Sequence, residues 1–365
     1  MKYRIPQLIP YVGKEEVENL KKVIDTKWLT EGAFSEKFVN LIKDFTGAKH
    51  VLLANNGTLG LFLSLLSLGV GPGDEVIVPD FTFIASASSV VFTGAKPVFV
   101  DVKKEDLNID PDQIESKITS RTKAIMPVHI YGQAADMEPI LKIAKKYNLK
   151  VIEDAAQGFG VYYKGRHTGT IGDIGVISFF ADKTITMGEG AVVLTNDDKI
   201  FEKARLIRNQ GRPSSGTFIH PALGMNFRVT DLQCAVGVAQ IRKFDEIKKL
   251  KIAHYQLYKR ELSSVKQIKF LQEMEYSNFV PFRANILVQR KKELINYLER
   301  HGIQTREFFY PLHRQPCFSY LKYKKDEFPV SNFAFAHGLS LPVFCDLRDE
   351  EILYICSKIK EFYGN

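Results

Sequence analysis

The sequence predicts an α/β fold. A large domain over residues 1–245 carries a mostly parallel mixed sheet covered by helices, and a smaller α+β domain follows over residues 246–365. Three observations lead there. The chain has 365 residues, enough for a large core and more than one unit. Between residues 51 and 195, short continuous apolar runs alternate with helical stretches, the pattern of strands buried on both faces. From about residue 240 the texture changes to a Lys-rich helix, then to short strands mixed with helices.

In chain order, residues 14–26 read as an amphipathic helix with Val17, Leu20, Val23 and Ile24 on one face. Residues 51–54 read as a strand and 58–68 as a buried helix. Further strands are expected at 75–78, 97–100 and 124–128. A helix with Met137, Ile140, Leu141, Ala144 and Tyr147 on one face precedes a strand that starts at Val151. Two more strands fall at 175–179 and 191–194. Residues 244–262 form a linker helix, 285–288 a strand, and 292–300 and 350–362 helices. No repeat or low-complexity tract is visible.

Hydrophobic content of 45% and charged content of 25% place the chain among ordinary globular proteins. The net charge of +8 reads either as a solvated lysine surface or as attraction for anionic ligands such as nucleotide diphosphates. The lysines are dispersed and no basic stripe interleaves with aromatics, so nucleic acid is not expected as a partner. Cys234, Cys317, Cys345 and Cys356 show neither C-x-x-C pairing nor metal-like spacing with histidine. They read as reduced thiols, and no metal is expected. The N-terminus lacks a signal-peptide core, and apolar runs are broken well before membrane-spanning length. The expectation is a cytoplasmic protein without membrane contact. No G-x-G-x-x-G follows the first strand, which speaks against a dinucleotide site.

Lys183 lies in an apolar run over residues 177–190 that ends among glycines. An amine held in such a site can lose its proton and attack an aldehyde; the plain alternative is a surface lysine. Asp154 closes the apolar run that starts at Val151, either as a functional carboxylate or as a helix cap. A lysine for a Schiff base and a carboxylate for a pyridinium nitrogen are what pyridoxal 5'-phosphate (PLP) requires. Asn56-Gly57-Thr58 precedes an apolar helix, so its N–H groups and the Thr58 hydroxyl suit a phosphate. The other reading is a turn with Thr58 as N-cap. Ser178 offers a second hydroxyl. Phe81 or Phe83 could stack on a flat ring or pack in the core. Gln157 could contact a ring oxygen or a substrate hydroxyl, and Gly188 and Gly190 would let backbone pass close to a ligand. Asn55 to Thr58, Asp154 and Lys183 all fall at or just past strand ends, where such sheets gather their functional groups.

Together these pieces resemble the DegT/DnrJ/EryC1/StrS family of sugar aminotransferases over nearly the whole chain. The shared segments include Asn56-Gly57-Thr58, residues 71–79, Phe81-Thr82-Phe83, residues 127–133 and Glu153-Asp154-Ala155-Ala156-Gln157. They continue through Ser178-Phe179-Phe180 with Lys183, Gly188-Glu189-Gly190, residues 224–228 and residues 339–342. The resemblance implies the aspartate aminotransferase-like fold (fold type I) and PLP, cycling with its amine form, as cofactor. It implies Lys183 as the Schiff-base lysine, which then moves a proton, and Asp154 as partner of the pyridine nitrogen. Gln157 would sit near the ring and Phe83 would stack on it. Gly57, Thr58 and Ser178 would hold the phosphate. Asn226 would reach the cofactor phosphate of the other subunit of a homodimer with shared active sites. The substrates would be L-glutamate, released as 2-oxoglutarate, and a keto sugar on a nucleotide diphosphate. Glu189, Arg228 and His313 match positions near the substrate. For Arg228 the dimer interface is the alternative, and for His313 a structural loop role. His129 reads as a buried residue near the ring or as a ligand.

One family branch replaces the lysine with histidine and deoxygenates sugars, and another is regulatory; the intact Lys183, Asp154 and phosphate cup argue against both. Residues 127–133, 178–190 and 209–211 look most like the branch acting at C4 of GDP-4-keto-6-deoxymannose. Gln157 replaces its usual Glu, Ala181-Asp182 its Gly-Asn, Met187 a Thr and Ala191 a Gly. These departures surround the sugar site and leave open dTDP- or UDP-linked sugars, amination at C3, and an inosose-type cyclitol, which would need no nucleotide. Loops around residue 182, 212–220 and 310–317 are expected to shape the substrate site.

Overall fold

A seven-stranded mixed sheet organises the larger part of the chain in the computed structural model, which describes residues 3–214 and 216–364. Its strands are β1 (His50–Ala54), β2 (Glu75–Pro79), β3 (Lys96–Val100), β4 (Thr122–Ile125) and β5 (Lys150–Asp154). After a short hairpin of β6 (Tyr162–Tyr163) and β7 (Arg166–His167) come β8 (Ile174–Ser178) and β9 (Ala191–Thr195). The order is β1-β9-β8-β5-β4-β2-β3. Only β9 runs against its neighbours β1 and β8; the other pairings are parallel. The segment from Phe179 to Gly190 reverses the chain without a crossover helix, so β9 returns antiparallel. That reversal carries Lys183.

Strand side chains alternate between two cores. Ile77, Ile125, Ile177 and Val192 pack with helices α2 (Ala33–Thr46), α5 (Met137–Tyr147) and α7 (Asp231–Arg242). Val76, Val78, Val176 and Val193 pack with α3 (Gly57–Ser67), α4 (Ala85–Phe92) and α6 (Asp198–Arg208) on the other face. Both faces are covered, as the continuous apolar runs require.

The helix α1 (Lys14–Thr26) forms where expected but presents a different face. Glu16 and Asn19 are buried with Val23, whereas Val17 is 65% and Ile24 55% exposed. The reason is polar pairing with its neighbours: Glu16 accepts from Gln240 at 2.7 Å and pairs with Lys243, and Asn19 donates to the Ala235 carbonyl at 3.2 Å. Apolar side chains on the outer face are left without cover.

Helix α8 (Phe244–Glu261) joins this unit to a second, four-stranded antiparallel sheet. Its first turns pack Phe244 and Ile247 into the large core, and its later turns pack Tyr255 and Tyr258 into the C-terminal one. The expected division at residue 245 falls at its first turn. The second sheet has the order β10 (Ile268–Phe270), β11 (Ala284–Val288), β13 (Gly338–Leu341), β12 (Arg306–Glu307). It packs against α9 (Lys291–Arg300) and α11 (Asp349–Tyr363), while α10 (Pro329–His337) runs into β13. The N-terminus joins it as well: Ile5 is bonded to Gly302 and Gln304 and lies in the C-terminal core.

One buried group makes the large unit acid-sensitive. His167 is 1% exposed; its Nε2 accepts the Gly160 N–H at 2.9 Å and its Nδ1–H donates to the Thr168 carbonyl at 2.6 Å. Burial lowers its pKa to about 4. Between pH 6.5 and 4 the unfolded chain binds this proton and the folded chain does not, so stability falls as pH drops through that window. The expected loss is about 3 kcal/mol. Thermal melts of the wild type and His167→Gln between pH 7 and 4 check it: the variant should show a flatter profile.

Candidate active site

The site sits at the carboxyl ends of the sheet strands, in a cavity of about 860 Å³ whose far wall comes from the C-terminal sheet. The residues Gly57, Thr58, Phe83, Asp154, Gln157, Ser178, Lys183 and Glu189 all line it. They come from four separate strand ends.

Asn56 is the N-cap of α3, its Oδ1 accepting the Leu59 N–H at 3.0 Å. Thr58 is therefore not the cap, and its hydroxyl is spared. Neither the Gly57 nor the Thr58 N–H finds an acceptor among the described residues. Ser178 closes the other side: a Cβ built on Gly57 would approach its Cβ to 3.0 Å and its Oγ to 3.2 Å. Free N–H groups at a helix start, two hydroxyls and a tight glycine make a cradle for a phosphate dianion.

Asp154, at the end of β5, is buried. Its Oδ2 accepts from Ser86 at 2.7 Å and its Oδ1 from the Ala156 N–H at 3.1 Å. Burial raises its pKa, against the pull of these bonds and of Lys183 and His129 at longer range. A protonated ring nitrogen would supply the missing close counter-charge. Its neighbour Glu153 points the other way, is fully buried, and accepts from His129 Nε2 at 2.9 Å and from the N–H groups of Gly169, Ile171 and Gly172. His129 is itself fully buried, accepts the Ala135 N–H at 3.0 Å, and lies outside the cavity lining. The pair holds the strand ends beneath Asp154.

Lys183 Nζ lies 4.8 Å from the Phe282 ring centre and 3.7 Å from Asp182 Oδ1. Burial lowers its pKa, and the Asp182 carboxylate opposes that shift. The amine thus loses its proton more readily than an ordinary lysine. Gln157 Oε1 accepts the Tyr131 N–H at 2.8 Å, which turns its amide N–H groups to the cavity side. Of the two candidate aromatics, Phe83 lines the cavity and is 55% exposed, whereas Phe81 is fully buried against Tyr131, Phe308 and Phe309.

Three expected residues lie elsewhere. Asn226 is exposed and Arg228 half-buried, and neither lines this cavity; Asn226 Oδ1 accepts the Arg228 N–H at 3.1 Å. His313 does not reach the cavity either. Its ring is buried against Asp80, with Nδ1 2.7 Å from Oδ2, and its own N–H donates to Asp80 Oδ1 at 2.7 Å. Burial raises the Asp80 pKa, and the bond to Asp80 raises that of His313 against burial, so the pair keeps a proton between them. The substrate contact expected of His313 gives way to a role in fixing the segment that carries Tyr310 and Gln315, which do line the cavity. Sequence reasoning missed Arg283, Arg306 and Glu307, which complete the far wall. The one signal was Arg283 itself, a charge set between apolar residues ahead of a strand.

The parts fit PLP: a phosphate cradle, a half-buried amine, a buried carboxylate and a ring-sized aromatic face share one cavity. Among the described residues no cluster suited to a metal ion occurs, and no helix is long and apolar enough to cross a membrane. All four cysteines are free.

Comparison with known proteins agrees. Residues 10–360 match the model of the DegT/DnrJ/EryC1/StrS aminotransferase family. A GDP-perosamine synthase of Escherichia coli O157:H7 is 38% identical over 367 residues, covering 100% of both chains. A pleiotropic regulatory protein of Geobacillus stearothermophilus is also 38% identical, over 94% of this chain and 93% of its own. Among solved structures, DesV of S. venezuelae, in complex with a ketimine intermediate, superposes with a TM-score of 0.94 at 30% identity, covering 100% of this chain and 99% of its own. The chain belongs to the DegT/DnrJ/EryC1/StrS aminotransferase family and is a PLP-dependent sugar aminotransferase.

Proposed function

We propose that this enzyme moves the amino group of L-glutamate to C4 of a nucleotide-linked 4-keto-6-deoxyhexose, with a GDP sugar as the first candidate. The observation that carries the reading is the convergence of Lys183, Asp154 and the Gly57–Thr58–Ser178 cradle in one cavity with room for a sugar beside the cofactor. The 38% identity to a GDP-perosamine synthase over its full length supports the choice of acceptor.

When bound, PLP supplies a carbonyl carbon for the amino group and a ring that withdraws electrons from the donor carbon. In this reading Gly57, Thr58 and Ser178 hold its phosphate. Phe83 covers one ring face. Asp154 would keep the ring nitrogen protonated, and the Gln157 amide would donate to the ring oxygen. Lys183 Nζ would hold the cofactor at rest and, once free, would move the proton at the donor's α-carbon. Glu189 and the far wall face the acceptor.

Asn226 and Arg228 then serve the cavity of a partner copy. A homodimer is supported by the apolar surface left open: Phe218 is 88%, Ile219 77% and Leu223 97% exposed, and Val17 and Ile24 of α1 are exposed as well.

The test supplies the PLP-loaded enzyme and glutamate with GDP-, dTDP- and UDP-linked 4-keto-6-deoxy sugars and locates the new amine by NMR. The expected product is a 4-amino sugar from the GDP substrate. Amination of only the dTDP or UDP sugar, or at C3, would reassign the acceptor. Turnover of none, with a free inosose aminated instead, would remove the nucleotide-sugar reading; no turnover at all would favour a regulatory role.

A further inference from the structure

We infer that Arg283 and Arg306 form a carboxylate-binding pair in the substrate pocket, with Asp182 as its resident counter-ion. The inference rests on the aminotransferase reading of the cavity. Arg283 immediately precedes β11 and Arg306 opens β12, the two strands that flank β13. Asn285 and Arg306 face the same residue, Ser340, and both Arg283 and Arg306 line the cavity.

Both guanidinium groups converge on one oxygen. Arg283 Nη2 donates to Asp182 Oδ2 at 2.7 Å and Arg306 Nη1 to the same atom at 3.0 Å. The other oxygen, Oδ1, is buried, has no hydrogen bond, and lies 3.7 Å from Lys183 Nζ. Neither guanidinium has another acceptor among the described residues. Glu307 on the same wall is already paired with Lys291 at 2.9 Å. Two cations against one carboxylate leave the wall in positive excess, with planar N–H forks open to the cavity. Burial of the Arg283 side chain, only 8% exposed, strengthens its pull on an anion.

A single carboxylate, that of Asp182, lies between the pair and the reactive amine, 2.7 and 3.0 Å from the guanidinium groups and 3.7 Å from Nζ. That separation suits a group carried on the substrate rather than the cofactor's phosphate, which has its own cradle at Gly57. Two substrates could bring such a group: a dicarboxylate amino donor through its distal carboxylate, or an acceptor sugar that bears a carboxylate. The recognition chemistry is the same.

The test measures binding of glutarate, UDP-glucuronate and UDP-glucose to PLP-loaded wild type, Arg283→Met and Asp182→Asn by calorimetry. Arg283→Met should weaken one carboxylate probe about tenfold or more and leave UDP-glucose within about twofold. Asp182→Asn, which removes the competing carboxylate, should tighten the same probe several-fold. An effect on glutarate alone identifies the donor as the source, and on UDP-glucuronate alone the acceptor. The proposal fails if neither probe binds the wild type, if Arg283→Met leaves both unchanged or weakens UDP-glucose equally, or if Asp182→Asn weakens the carboxylate probe. A structural latch would destabilise both variants without opposite effects on affinity. Whether glutamate still alters the cofactor spectrum of the wild type reports on the aminotransferase reading separately.

Discussion

Lys183→Ala should abolish steady-state amino transfer, by about a thousandfold or more, and leave the protein folded. The loss is large because, on the proposed function, one nitrogen does two jobs: it anchors the cofactor and carries the proton. The fold should survive because the neighbours stay satisfied. Asp182 keeps Arg283 and Arg306, and the truncated side chain leaves space in an already open cavity. Multiple-turnover assays with glutamate and circular-dichroism melts check both halves. Substantial turnover in the variant would remove Lys183 from its role. The same amine sets a pH dependence. Burial places its pKa below the ordinary 10.5, so at a given pH more of it is neutral than of a surface lysine. The rate of PLP uptake should therefore rise with pH and level off below 10.5. Asp182→Asn removes a group that raises this pKa, and should move the profile to still lower pH.

Asp154→Asn should cost about a hundredfold or more in turnover. An amide cannot keep the ring nitrogen protonated, so the ring withdraws electrons poorly. The substitution is gentle on the fold. Ser86 can turn its hydroxyl to meet an amide, the Ala156 N–H keeps a carbonyl oxygen, and a charge held against burial is removed. A melting temperature at or above wild type with collapsed turnover is the expected pair of results. Near wild-type rates would mean that another group faces the ring nitrogen.

Much of this site was legible because its chemistry is local in sequence. Gly57, Asp154, Ser178 and Lys183 each fall at or just past a strand end, and in a sheet with helices on both faces the strand ends meet at one edge. What stayed hidden was non-local. Arg306 lies on a strand of two residues, Arg306–Glu307, too short for any periodicity to announce. Arg283 meets Asp182 across 101 residues of chain. His313 was left open between two readings because a histidine in an aromatic loop reads the same whether it faces a substrate or a buried Asp80. The face of α1 was misread for a related reason: Glu16 is buried by a partner, Lys243, that pattern cannot pair with it. Asn226 and Arg228 lie outside this cavity, Asn226 exposed and Arg228 half-buried and bonded to Asn209.

The most direct test of the central claim is the absorbance spectrum of the PLP-loaded protein before and after addition of L-glutamate. The expected result is a long-wavelength cofactor band that Lys183→Ala lacks, that glutamate bleaches, and that a nucleotide-linked keto sugar restores. A band that glutamate leaves untouched would contradict amino transfer from glutamate, and failure to acquire any band with PLP would contradict the cofactor assignment itself.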